Sequence, residues 1–512
     1  MNAAIKIQAK ESKAGGARAF VLDTAVVAAA QLLLKLRGLV AIPLIVKVLG
    51  TAEYGVWVQT LALVDISSSV VGANLHHPLV RFLSETPERG KRIYGTLLAA
   101  TLVLGAFGGL ALFAAAEPVS RFALGDAAHA WEVRAGALLL LCYNVRLFNL
   151  NAYRALGRMK ERAAFELAST FGQLLGIAVL LWLGYGLLAV FAFMGAWEAA
   201  FAVALCAHVG GLVGVGRFDG RLLKDALRYA LPLLPAGLSV WMLDRSDRLV
   251  IGYFMGPESV GVYSANYALA GLLMLFQTPL QVTLLPKVSA LWRTERAEAV
   301  RYVSLSNKLF LTFAVPFVVA APVVARPLLS RLGNEEIGAA GGALTFLIAA
   351  GVLMWGVSVM LTQIFYGARK TLPVGIVTVG AALLNLLLNF LLVPAWGVSG
   401  AAFATLVSYA ASCAALYALS RRVARLDFYA PHLLKCGTAA LAMWVVLRAL
   451  VSLSERPVAV AAAIAAGGLT YFASLWLLRA VAPSELGFLK ALVSRRAPEV
   501  ERAAAVASAV ER

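Results

Sequence analysis

Stretches of about twenty or more residues with almost no charge recur along the whole chain, and they limit what the sequence can fold into. A helix that crosses a bilayer needs about 20 predominantly apolar residues. By that criterion helices are expected near 20–48, 54–75, 93–115, 131–153, 163–183, 187–210, 226–252, 260–286, 302–323, 338–363, 371–393, 398–420, 431–451 and 457–480. That is about fourteen crossings, each long enough to span with some tilt. Strands are excluded, because an open sheet edge leaves backbone groups unpaired in hydrocarbon. Composition points the same way. Of 512 residues 61% are hydrophobic and 14% charged, against about 45–50% and about 25% in soluble domains. A soluble multidomain enzyme and a disordered chain are both excluded. The expected class is all-α integral membrane.

The net charge of +18 acquires a meaning once it is placed along the chain. Breaks on one side of the predicted membrane carry Arg81, Arg89, Lys91 and Arg92; Arg154, Arg158, Lys160 and Arg162; and Arg217, Arg221, Lys224 and Arg228. The same side continues with Lys287, Arg293, Arg296 and Arg301; Arg369 and Lys370; and Arg421, Arg422, Arg425 and Lys435. The other side holds only Lys47, Arg121, Arg326, Arg331 and Arg456. Cytoplasmic loops are enriched in Lys and Arg, so this alternation predicts an even number of crossings with both termini cytoplasmic. Most of the charge therefore reports orientation, and no nucleic-acid partner is implied. Residues 1–18 are polar and basic, and no cleavable signal peptide is visible. Loops on the opposite face are short, the longest near 116–130 and 324–337, with no room for an extracytoplasmic domain. The tail 481–512 reads either as an amphipathic surface helix or as a solvated segment.

Little in the sequence suggests bond-making chemistry. Cys142, Cys206, Cys413 and Cys436 lie in or beside apolar runs without paired spacing, as small buried hydrophobes do. His76 and His77 have no Cys or carboxylate at ligand spacing, so no metal site is expected. His208 reads as a polar helix contact. No Gly-Lys-Ser/Thr phosphate loop and no His-Glu-x-x-His motif occurs; no catalytic residue, ATP hydrolysis or cofactor is expected. Pro43, Pro232, Pro235, Pro279, Pro286, Pro316 and Pro322 predict bent helices. Trp57, Trp131, Trp182 and Trp396 fall near predicted helix ends, where indoles anchor at the interface.

The chain also echoes itself. Leu49-Gly50-Thr51-Ala52-Glu53-Tyr54-Gly55-Val56-Trp57 resembles Met255-Gly256-Pro257-Glu258-Ser259-Val260-Gly261-Val262-Tyr263, about 206 residues later. Gly157-Arg158-Met159-Lys160 and Gly367-Ala368-Arg369-Lys370 occupy matching basic breaks about 210 apart, and Gly186 and Gly397 mark matching turns. With an even number of crossings per repeat, two six-helix bundles would lie parallel, followed by two extra helices. The boundaries expected are 1–18, an N-terminal half 19–213, a linker 214–225, a second half 226–420, helices 13 and 14 over 421–480, and the tail 481–512. Repeats of this kind occur in carriers that rock one half against the other.

The run Asp247-Arg248-Leu249-Val250-Ile251-Gly252 followed by Gly256, Gly261 and Tyr263, the hairpin Leu49-Gly50 to Tyr54-Gly55, and the break Gln363-Ile364-Phe365-Tyr366-Gly367-Ala368 resemble the polysaccharide flippases. These belong to the multidrug/oligosaccharidyl-lipid/polysaccharide exporter superfamily, and the likeness covers roughly 20–480. The Arg-rich hallmarks of the lipid II flippases are not matched. The resemblance implies a V-shaped exporter that moves a polyprenyl-diphosphate-linked oligosaccharide to the outer leaflet of a bacterial plasma membrane, for O-antigen, other lipopolysaccharide or exopolysaccharide. It implies the lipid-linked substrate and the bilayer as partners, with glycan polymerase or ligase machinery downstream. A two-half carrier can work as a monomer.

Ionisable residues inside spans cost about 2.5–3.5 kcal/mol each at a helix centre, so they are expected to face one another or a wet cavity. They are Lys35, Arg37, Asp65, Arg146, Glu198, Asp244, Arg245, Asp247, Arg248 and Lys308. Arg forks grip phosphate oxygens, so Lys35, Arg37, Arg146, Arg245, Arg248 and Lys308 are candidates for a cationic lumen around the head group. Asn144 and Asn149 can bond sugar hydroxyls or pack helices. Asp244 and Arg248 share a helix face and can equally pair with each other. Asp65, Glu198, Asp244 and Asp247 are candidates for proton or sodium coupling. The competing readings are an ion-coupled multidrug exporter of the same superfamily and a membrane polymerase or ligase. The first prefers an acidic cavity; the second needs a large outer loop.

Overall fold

The structure, a computed structural model, describes residues 33–34, 36–427 and 429–480. Lys35, the segment 1–18 and the tail 481–512 lie outside the described residues. Every regular element among the described residues is helical. The α-helices run α1 Arg37–Leu49, α2 Thr51–Val71, α3 His76–Glu85, α4 Gly90–Ala114, α5 Ala116–Leu124, α6 Ala130–Ala155, α7 Met159–Trp182 and α8 Leu187–Val213. They continue as α9 Gly220–Ala230, α10 Leu234–Ala270, α11 Met274–Leu291, α12 Arg296–Leu332, α13 Glu335–Gly367, α14 Leu372–Ser420, α15 Ala430–Leu453 and α16 Pro457–Leu477. Among the described residues eleven helical stretches are long and apolar enough to cross a membrane, which makes this a multi-pass membrane protein.

Two of the helices are hairpins. Tyr267 donates to Asp244 at 3.3 Å, although 23 residues of straight helix would set them about 35 Å apart. Asn385 likewise donates to Thr405 at 3.3 Å across α14. The reversals fall at Gly256 (φ 78°, ψ 178°) and Gly397 (φ 60°, ψ −143°), backbone states that a Cβ disfavours. The sharp breaks inside helices are thus at glycines. Pro43, Pro279, Pro286, Pro316 and Pro322 sit within helices, while Pro232 and Pro235 open a 3₁₀ turn and α10. The expected helix over 226–252 is in fact two elements. Amphipathic α9 is capped by Asp219, which accepts from the amides of Arg221 and Leu222, and α10 begins only at Leu234.

The self-similarity extends to backbone geometry at one place and shifts at two others. Gly50 (φ 96°, ψ 175°) and Gly256 take nearly the same conformation. The basic breaks both close with an amide reaching back five residues, Arg158 to Tyr153 and Lys370 to Phe365. Their left-handed residues are Gly157 and Arg369, so the offset there is 212 rather than 210. Gly186 is extended (φ −81°) and does not match Gly397.

The main core runs through α1, α2, α5–α8, α10 and α12–α14, and α15 and α16 pack on α12 around Met443, Leu447 and Tyr471. Large apolar side chains such as Phe107, Val203 and Leu469 point outward, as lipid-facing residues must. Trp131, Trp182 and Trp396 are exposed near helix ends, as expected of anchors. Trp57 is not one of them. It is 6% exposed and stacks on Tyr54 at 5.9 Å inside the bundle, where α2 packs against α6 and α10.

Candidate functional site

Five helices bring charge together. Asp65 on α2 accepts from Arg245 on α10 at 2.8 Å, and the same guanidinium reaches Asp244 at 3.3 Å. On α6, Arg146 pairs with Glu198 of α8 at 2.6 Å and lies over the Tyr143 ring at 5.2 Å. Gln173 donates to the other Glu198 oxygen at 3.4 Å. Arg37, at the first turn of α1, is within electrostatic range of Asp65, Tyr143, Arg146 and Arg245. Its residue is exposed, and it makes no ion pair among the described residues. Three arginines and three carboxylates therefore converge, and their formal charges nearly cancel. A pairing of Asp244 with Arg248 along α10 is one of the alternatives that the sequence leaves open. Instead Asp244 pairs with its neighbour Arg245 and takes the Tyr267 hydroxyl, because the α10 hairpin brings Tyr267 alongside.

Asp247 and Arg248 adjoin the cluster through Tyr267 and Asp244, while the other candidates lie elsewhere. Asp247 is buried in the α10 hairpin, where it accepts from the Tyr263 hydroxyl at 2.5 Å and from the Arg248 amide at 2.8 Å. Arg248 is 7% exposed over the Tyr267 ring at 4.6 Å. Lys308 sits over Tyr429 at 4.9 Å, on the side of α12 that faces α15. Asn149 is fully buried, accepting from Tyr94 at 2.7 Å and donating to the Val145 carbonyl at 2.8 Å. Asn144 accepts from Ser68 at 2.7 Å and lines a small polar pocket with Ser69, Asn74, His76 and Thr101. His208 contacts the Tyr153 hydroxyl, a helix contact as expected.

Two polar residues that a search for ionisable groups passes over belong to this region. Tyr143 lies beside Arg37 and Arg146. Gln59, 0% exposed on α2, donates to the Ala123 carbonyl at 2.8 Å and to that of Arg248 at 3.1 Å. The signal for Gln59 was its amide in the middle of an apolar run.

A multi-helix carrier fold with charge gathered between its helices is the class these features define. Comparison with known proteins places it more closely. Residues 44–335 match the family described as polysaccharide biosynthesis protein. Residues 220–481 match the lipid II flippase MurJ family, a branch that the missing Arg-rich hallmarks make less expected without excluding it. Each match covers more than half of the chain. The chain belongs to the polysaccharide biosynthesis protein family. It is 27% identical over 238 residues to the probable flippase AglR of Haloferax volcanii, covering 44% of this chain and 48% of that one. It is 25% identical over 239 residues to the probable low-salt glycan biosynthesis flippase Agl15 of the same organism, 45% and 50% covered. The chain thus spans about half the length of these two curated relatives. Among solved structures, the lipid II flippase MurJ in an inward closed conformation superposes with a TM-score of 0.74 at 14% identity, over 89% of this chain and 99% of that one. A multidrug resistance MATE family transporter, inward-facing, gives 0.61 at 13% identity, over 76% and 94%. At such identities the likeness is one of fold.

Proposed function

We propose that the protein is a flippase that carries a polyprenyl-diphosphate-linked oligosaccharide from the cytoplasmic to the outer leaflet of the plasma membrane, for O-antigen or another surface polysaccharide. The observation that carries this reading is the convergence of Arg37, Arg146 and Arg245, with Arg37 in no ion pair among the described residues. Family membership supports it. On this reading α1, α2, α4 and α6–α8 form one six-helix half, within 19–213. The two α10 limbs, the second continued by α11, join α12, α13 and the two α14 limbs in the other, within 226–420. With α15 and α16 this makes fourteen crossings in a V, with 214–225 as linker, 421–480 as the last two helices and both termini cytoplasmic.

The chemistry is an exchange of partners. Arg37 offers an unengaged fork to a diphosphate. As the head group settles, its oxygens compete with Asp65 and Asp244 for Arg245, and with Glu198 for Arg146. Carboxylates released in this way gain from taking a proton or sodium ion, so Asp65, Glu198 and Asp244 are the proposed coupling groups, with Asp247 held in reserve inside the hairpin. Arg248 and Lys308 would line the path further from the centre, with Lys35 beside Arg37 in sequence. Asn144 and Asn149 would contact sugar only after giving up bonds they now make. The carrier would act as a monomer, handing its cargo to a polymerase or ligase.

The test is deletion in the native host, followed by sidedness labelling of polyprenyl-linked glycans. Repeat units trapped on the cytoplasmic leaflet are expected, and Arg37→Ala should reproduce this while the protein accumulates normally. Normal glycans with new drug sensitivity would move the reading to multidrug export. Units accumulating on the outer leaflet would place the defect in polymerisation.

A further inference from the structure

The two segments that echo each other in sequence pack against each other. A Cβ at Gly55 would lie 1.7 Å from the Pro257 carbonyl oxygen, and one at Gly261 would lie 2.3 Å from that of Thr51. Shifted by the repeat offset of 206, the contact of Gly55 with Pro257 becomes that of Gly261 with Thr51. The two contacts are images of one another, as in an isologous interface built on a two-fold axis. Thr51 and Gly55, like Pro257 and Gly261, are four apart, the spacing that lets membrane helices approach backbone to backbone.

Deeper along α2, further contacts continue the closure. At Gly252 a Cβ would meet the Ala123 carbonyl oxygen at 2.0 Å, and Gln59 bonds both Ala123 and Arg248 across the same gap. The side-chain amide oxygen of Gln59, Oε1, has no partner among the described residues, a desolvated acceptor that wetting would relieve. At the far end the Thr51 hydroxyl donates to Glu336 at 2.9 Å and accepts from Asn334 at 2.8 Å, tying α2 to the start of α13. Thr51 is fourteen residues from Asp65, about 21 Å along the helix. Along α2, between Asp65 and Thr51, stand the close approaches at Gly55 and Gly252 and the two bonds of Gln59.

We propose that this pseudo-symmetric seam is the outer gate of the carrier. Its two repeat images part together, Gln59 lets go of Arg248, and Thr51 releases Glu336 when the cavity opens outward. The proposal rests on the alternating-access reading above and adds to it the residues that must separate. Glycine at 55, 252 and 261 is required because any side chain wedges the gate.

The experiment starts from a chain whose four cysteines are replaced by Ala. Thr51→Cys with Glu336→Cys is oxidised or bridged with a short thiol cross-linker. Flipping of lipid-linked glycan in vesicles should stop and return on reduction. Separately, Arg37→Cys provides a reporter thiol below the seam, labelled from outside with a membrane-impermeant maleimide. Adding Gly261→Ala should raise that labelling severalfold. Flipping at the reduced-form rate by the cross-linked protein would overturn the gate, as would unchanged labelling with Gly261→Ala in a normally accumulating protein. Should Gly261→Ala fail to accumulate, the cross-linked pair, which leaves the seam glycines intact, decides the matter. The labelling needs no substrate. A labelling response, together with no glycan transport by the reduced Thr51→Cys/Glu336→Cys chain that keeps Arg37, therefore supports the gate and sinks the glycan reading, whereas transport indifferent to the cross-link does the reverse.

Discussion

The Arg146–Glu198 pair permits a quantitative test, because its two side chains are only 14% and 8% exposed and 2.6 Å apart. At an effective dielectric near 20 their attraction is about 6 kcal/mol. Desolvation costs several kcal/mol per ion, so the net worth of the pair is small, yet stranding one partner costs about 3–5 kcal/mol. Glu198→Leu should therefore destabilise the protein by about 3–5 kcal/mol at neutral pH. Arg146→Met should cost less, since a lone carboxyl can take a proton whereas a guanidinium cannot shed one. The double variant should return to within about 2 kcal/mol of the parent, because removing both charges removes the stranding. Denaturant unfolding in mixed micelles, followed by tryptophan fluorescence, yields all three values and a coupling energy above about 2 kcal/mol. A Glu198→Leu variant within about 1 kcal/mol of the parent would refute the argument, since Arg146 would then have to be hydrated or otherwise paired. On the proposed function the double variant is stable but does not flip substrate.

Two further outcomes follow from groups away from the cavity. Burial, with help from His77, Arg154 and Arg162, pushes the His76 imidazole on α3 down to about 4, and His77 is lowered as well. A base depressed in the folded state favours folding above its unfolded value near 6.5, and that contribution is lost as pH falls from there through about 4. Thermal stability measured across this window should decline with acid, and His76→Gln with His77→Gln should flatten the decline; an unchanged slope would show that other groups control it. At the α14 reversal Gly397 occupies a conformation that L-residues avoid, so Gly397→Ala should cost about 1–3 kcal/mol. Gly157→Asn, at a left-handed helix end with open space around it, should cost less than about 1 kcal/mol; equal losses in the same unfolding assay would contradict the distinction.

What could be read from the sequence was whatever depends on neighbours along the chain. The apolar runs located the helices, since length and hydropathy are local properties, and the basic breaks predicted how those helices are threaded. Gly50 and Gly256 could be matched because a backbone with positive φ selects glycine wherever it recurs. Only the tertiary structure decided which charges meet. Asp65 and Arg245 are distant in sequence, and nothing local distinguishes Arg245, which reaches another helix, from Arg248, which turns into its own hairpin over Tyr267. Trp57 misled for the same reason: position near a helix end is local, but burial depends on what packs there. Gln59 escaped notice because an uncharged amide signals its role only through the carbonyls opposite it. A bilayer selects strongly for apolar length and for the side of a charge, so both are recorded in sequence. It leaves the pairing of charges inside the bundle to packing between helices far apart along the chain.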